Sequence, residues 1–295
     1  MSAVSSMPLA GSGKAGRTAR SSWLVPALIG PIALVNGLVF IVPVLNLLRL
    51  SFVEALAGGG LGETYTLDTW AKTLTDSFYL DLIWQSVSTS LMITLLTLAA
   101  SYPIALLLHR MSGRWKTVLL VLVISPLLSS AVVRTYGWIA ILADDGLINN
   151  LLKAFGAEPV RLMFNKVGVV IGLTEILMPY MILALLAGFG RLDPRVEEAA
   201  RTLGAPPWKV FVRVVVPLTA PGIALGCLLT FVLAVSSFIT PKLLGGGRVF
   251  LLATEIYDQA IVTLNWPLSA TLSMIILVIF GGALVIYSRL LRSIA

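Results

Sequence analysis

Residues 196–223 read VEEAARTLGAPPWKVFVRVVVPLTAPGI. Backbone chemistry alone divides this string in two. Asp193, just upstream, is placed to cap a short helix through Glu197, Glu198, Ala199, Ala200 and Leu203, its carboxylate accepting from free amides at the helix start. Pro194 suits the first helical position, where no N–H is needed. Gly204 stops the helix by supplying the left-handed conformation that a helix end often requires. Pro206 and Pro207 are excluded from a helix interior, yet either opens a second helix. The string predicts a helix–turn–helix elbow, charged and faced with small residues, lying against a membrane surface. Taken alone, the same pattern also fits an amphipathic connector.

What surrounds the elbow is apolar. Of 295 residues, 58% are hydrophobic and 12% charged, with a mean hydropathy of +0.95. A soluble domain carries about 25% charged residues. Runs long enough to cross a hydrocarbon core, which needs about 20 apolar residues in a helix, fall near 23–49, 83–108, 117–142, 167–190, 212–240 and 268–290. The fold expected is therefore an all-α membrane protein of six transmembrane helices, with residues 1–22 as a polar tail and 23–295 as the membrane domain. The first run is too long for a signal-peptide core, and the tail's GSGK lacks the spacing of a phosphate loop. Cys227 and His109 stand alone, which excludes a disulfide framework and disfavours cysteine or histidine metal sites and His-dependent catalysis.

Charge placement sets the topology. Lys14, Arg17 and Arg20 precede the first run; Arg110, Arg114 and Lys116 follow the second; Arg191, Arg195, Arg201, Lys209 and Arg213 follow the fourth; Arg289 and Arg292 end the sixth. The opposite loops hold most of the acids, among them Glu54, Glu63, Asp68, Asp76, Asp144 and Asp258. Positive-inside bias places both termini and the elbow in the cytoplasm, and it makes the net charge of +7 a topology signal instead of a nucleic-acid footprint. Pro103, Pro126, Pro179, Pro217 and Pro221 lie in or at the edges of the runs and read mainly as kinks.

Two ionisable residues sit well inside the runs, Arg134 in the third and Glu175 in the fourth. Each lies about eight residues from the outer end of its run, about 12 Å deep at ~1.5 Å per residue. They are placed to meet, as an ion pair or as cavity-facing groups, because a charge at that depth costs several kcal/mol unless paired or wetted. Tyr136, Trp138, Tyr180 and Phe238 lie near this level, either as interface anchors or as π faces beside a carboxylate, an arrangement that suits an organic cation.

The elbow string resembles the EAA loop of binding-protein-dependent ABC importer permeases: Glu198-Ala199-Ala200, then Gly204, then Pro217 with Pro221-Gly222-Ile223. YPIALLL in the second run, RTYGW in the third, SSFITPKLLGGG after the fifth and NWPLSA before the sixth resemble the spermidine/putrescine branch. The resemblance implies a type I importer transmembrane domain in the bacterial inner membrane. It also implies a second, homologous permease subunit, an ABC ATPase dimer carrying ATP and Mg, and a periplasmic binding protein that delivers cargo. This chain binds no cofactor in that scheme. Glu198 would pair with a basic residue of the ATPase, Ala199 and Ala200 would allow close approach, and Gly204 would make the bend. Glu175 departs from the polyamine branch, where the position is typically uncharged. Relatives with the same elbow carry ferric iron, sulfur oxyanions or plant-derived conjugates. A secondary transporter is the rival class, with no use for the elbow and no repeated span pair here to support it.

Overall fold

The computed structural model describes residues 21–56, 58–190 and 192–294. The expected tail at 1–22 lies outside them apart from Ser21 and Ser22, and so do Lys14, Arg17, Arg20 and Arg191. Among the described residues, those up to Asn46 and those from Leu47 onward form separate compact units. Helix α1 (Ser21–Leu50) has no polar stripe; Asn36 satisfies its amide locally by donating Nδ2 to the carbonyl of Ile32 at 2.8 Å.

The larger unit opens with a two-stranded antiparallel hairpin, β1 (Val53–Ala55) and β2 (Leu61–Tyr65), which an all-helical expectation leaves out. Helix α2 (Asp68–Thr75) follows, then the 34-residue α3 (Ser77–Arg110), started by Asp76, whose carboxylate accepts from the Phe78 amide at 2.9 Å. After α4 (Arg114–Ile124), α5 (Ala131–Leu142) and α6 (Leu147–Ala154) comes α7 (Lys166–Phe189). The elbow pair α8 (Pro194–Thr202) and α9 (Pro207–Val210) leads through a π turn, Phe211–Val215, into α10 (Val216–Ser236). Two short helices, α11 (Ile239–Leu244) and α12 (Leu252–Tyr257), a second π turn at Asp258–Val262 and the long α13 (Trp266–Ile294) complete the chain.

Five helical stretches among the described residues are long and apolar enough to cross a membrane: Ile29–Leu50, Ser77–Arg110, Lys166–Phe189, Pro207–Ser236 and Trp266–Arg292. The third expected span is the correction. Residues 117–142 are not one helix, because Arg114–Leu128 and Ala131–Ala154 meet at 101°. Pro126 cannot donate into the helix before it, so the chain tightens into a 3₁₀ turn over Ser125–Leu128. Ser129 is then extended, and Ser130 caps α5 by accepting from the Val132 amide at 3.2 Å. A sixth crossing exists only as this bent pair. The fifth span also ends sooner than expected: α10 stops at Ser236, and the tail of the expected run forms α11.

Helices α3, α7 and α10 form the core. The buried face of α3 carries Ser86, Thr89, Ser90, Thr94, Thr97 and Ser101. Lipid is as apolar as leucine, so helices in a membrane gain little from burying large side chains and associate through small residues that let backbones approach. The α7–α10 crossing takes this furthest: a Cβ built on Gly222 would lie 2.6 Å from the Cα of Gly188. Gly222 and Gly226 make a G-x-x-x-G step on α10, and Ala184 and Gly188 oppose it on α7.

Candidate functional site

The elbow is built as its sequence dictates. The Asp193 carboxylate accepts from the Arg195 amide at 2.9 Å, with Pro194 opening α8. Gly204 has φ +80°, its amide bonds Arg201 O at 2.9 Å, and the Ala205 amide bonds Ala200 O at 3.2 Å. Those two bonds form a Schellman close, which satisfies carbonyls that a helix end leaves free. Pro206 is extended and Pro207 opens α9. Glu198 and Ala199 face solvent, Ala200 is half-buried, and beside them Leu203 is 89% exposed and Trp208 64%. Pro217 stands apart from this face, as the second residue of α10.

Aromatic side chains root the elbow in the core. The Tyr102 ring meets Phe189 and Phe211 edge-on, at centroid distances of 5.5 and 5.7 Å, and its hydroxyl lies 3.0 Å from Thr219 Oγ1. His109 packs edge-on against Phe189 at 5.6 Å. The single histidine is a packing residue here.

A second polar cluster joins α5 to α7. Arg134 and Glu175 are brought to facing helices but form no ion pair within 4.0 Å among the described residues, which departs from the match of their depths. Trp138 Nε1, one turn along α5 from Arg134, donates to Glu175 Oε2 at 3.0 Å. Arg134 Nη1 instead donates to the carbonyl of Ile176 at 3.3 Å. Pro179 lacks the N–H that would bond the carbonyl one turn back, and that carbonyl is Glu175's, a different one from the Ile176 carbonyl that Arg134 takes. Arg134 Nε and Thr174 Oγ1 are buried there without partners.

The remaining pathway residues lie elsewhere. Tyr136 is 59% exposed and Tyr180 37%, so neither closes the cluster. Phe238 stacks on Tyr257 at 5.1 Å with a 15° interplanar angle. Around that stack are groups that span and motif reading left as loop charges. Lys242 bonds both carboxylate oxygens of Asp258, the longer contact at 2.6 Å, and lies 5.8 Å from the Tyr257 ring centre. Nearby, the buried Glu255 accepts from Gln259 Nε2 at 2.7 Å. No spacing rule links residues 242 and 258, since a short helix and a loop separate them. Among the described residues no three of His, Cys, Asp and Glu gather as a metal site.

A capped, solvent-facing elbow between two long apolar helices marks a multi-pass membrane protein. The chain belongs to the family of type I ABC importer permeases: the model described as "binding-protein-dependent transport system inner membrane component" matches residues 101–292. It is 33% identical over 258 residues to the spermidine/putrescine transport system permease protein PotB of Haemophilus influenzae, covering 86% of this chain and 90% of that one. PotB of Escherichia coli is also 33% identical, over 265 residues, covering 88% and 96%. In fold, the chain resembles a chain in the crystal structure of a bacterial alginate ABC transporter in complex with alginate pentasaccharide-bound periplasmic protein. The TM-score there is 0.72, with 17% identity over 92% of this chain and 95% of that one.

Proposed function

We propose that this permease moves a polyamine or similar small organic cation inward by alternating access, driven by ATP hydrolysis on a separate ATPase dimer. The observation that carries a cationic cargo is the carboxylate of Glu175, a charge the polyamine branch typically lacks, held by Trp138 on the α5–α7 face with no cation paired to it among the described residues. A carboxylate beside an indole offers an ammonium group both a counter-charge and a π face. The two PotB relatives support the same cargo class. A second, homologous permease subunit, a periplasmic binding protein and Mg-ATP on the ATPase complete the machine. Glu198, Ala199, Ala200 and Gly204 couple it to the ATPase, and Pro217 fixes the start of the helix that follows.

Labelled spermidine uptake into proteoliposomes holding the assembled importer tests the cargo. Glu175→Gln is expected to lower uptake about tenfold, the equivalent of one lost charged contact worth ~1.4 kcal/mol, with the amount of folded permease unchanged. Arg134→Met is expected to lower the folded amount, because it removes the donor that joins α5 to the Ile176 carbonyl of α7, at a cost of about 1–3 kcal/mol. The double variant should recover nothing, since no ion pair joins the two. Recovery would show that they pair in the membrane, and full uptake by Glu175→Gln would remove the cargo reading.

The basic clusters support a cytoplasmic elbow and cytoplasmic termini. In a Cys227→Ser background, Glu63→Cys in the hairpin should react with an impermeant thiol reagent in sealed spheroplasts. Leu203→Cys should react only after permeabilisation. The reverse pattern would invert the topology.

A further inference from the structure

The buried acid of the elbow lies outside the EAA triplet. Glu197 is 8% exposed, whereas Val196, Glu198 and Ala199 face solvent. Its Oε2 accepts from Arg110 Nη2 at 2.8 Å, and Arg201 Nη2, one turn along α8, stands at 3.8 Å. Arg110 is the last residue of α3. The elbow is joined covalently to α7 on one side and to α10 on the other, but not to α3. Among the described residues, the Glu197–Arg110 bond ties α8 directly to that helix.

Stability alone does not account for this arrangement. Arg110 is nearly half exposed, and ion pairs with an exposed partner are worth about 0–1 kcal/mol. What a short, charge-assisted bond does supply is direction. Helix α3 is about 50 Å long at ~1.5 Å per residue. Toward its opposite end, Ser86 Oγ accepts from the Leu252 amide at 2.7 Å, holding the first residue of α12. Tyr79 and Leu82 there pack with Leu252, Leu268 and Leu272, which belong to α12 and α13. One helix is thus gripped by the elbow at its last residue and grips α12 and α13 near its first turns.

We propose that Glu197 is a positioning residue for coupling: through Arg110 it passes displacement of α8 to α3, and α3 delivers it to the α12–α13 end. The proposal rests on the reading of α8 and α9 as the ATPase-coupling elbow.

The test uses the complete importer, with partner permease, ATPase and binding protein, in proteoliposomes and a Cys227→Ser background. Nitroxide labels on Asp81→Cys in α3 and Phe155→Cys beyond α6 report one distance, read without nucleotide and after trapping with Mg-ATP and vanadate. The parent complex should shift on trapping. Glu197→Gln should lose the shift, and the reversed pair Arg110→Glu with Glu197→Lys should regain it. A full shift in Glu197→Gln, or a reversed pair that stays silent, overturns the proposal. So does a Glu197→Gln complex that fails to assemble, because the pair would then serve folding alone. Gly204→Asp separates the two readings. If the shift survives Gly204→Asp, or the parent never shifts, the elbow reading fails and this proposal with it. If Gly204→Asp abolishes the shift while Glu197→Gln keeps it, the elbow stands and only the Glu197 link falls.

Discussion

Gly188→Val is expected to leave almost no folded permease in the membrane. A Cβ at this position would run into the Cα and amide nitrogen of Gly222, and neither can move without moving α10. Overpacking an ordinary core costs about 1–3 kcal/mol because side chains give way. Here backbone meets backbone, so the helices must part along the seam that holds α7 to α10. Gly226→Ala is the control. Its Cβ would meet the Met181 sulfur at 2.5 Å, the flexible part of a side chain, so the folded amount should stay near normal. Size-exclusion profiles of a fluorescent fusion read both outcomes. A monodisperse peak of normal height for Gly188→Val would mean that the close crossing is not required.

The second large effect is expected at the elbow. Glu198→Ala should reduce uptake to a few per cent of normal with full insertion, and the ATPase should no longer co-purify. Glu198 is exposed and joins no ion pair among the described residues, so removing its carboxylate costs this chain no internal contact. Any loss therefore falls on docking. Gly204→Val acts by another route. Its Cβ would meet nothing within 4 Å, yet φ +80° costs a branched residue about 1–2 kcal/mol, which bends the elbow without disturbing the core. Normal uptake by both variants would remove the coupling role.

Where the rules of chain chemistry are local, the fold could be read directly. The Asp193 cap, the Pro194 start and the Gly204 stop each depend on one residue and its neighbours and are found in place, and of the two prolines that could restart the helix it is Pro207 that does. The apolar runs place five crossings within a few residues, because length and apolarity are all that a bilayer asks of a helix. The third run defeated that rule. Pro126 was visible, but membrane helices tolerate proline when neighbours satisfy the freed groups, and sequence does not say whether neighbours do. Arg134 and Glu175 show a different limit. Their depths follow from counting residues, whereas their pairing depends on rotation about each helix. Trp138 took the place assigned to Arg134. The G-x-x-x-G step is written in the sequence, but Gly222 also belongs to the elbow string while Gly226 lies beyond it, so the seam cuts across the motif.

The π turn at Phe211–Val215 has a consequence for how such a chain varies over generations. The Val216 amide reaches back to the Phe211 carbonyl, so the turn holds one residue more than an α-helical turn would. Adding or removing a residue inside a regular helix rotates everything beyond it by about 100°. A wide turn absorbs that residue in place. The face of α10 that carries Gly222 and Gly226 is thereby set independently of the direction in which the elbow leaves the membrane. Descendants of this chain can lengthen or redirect the elbow while keeping the glycine seam in register.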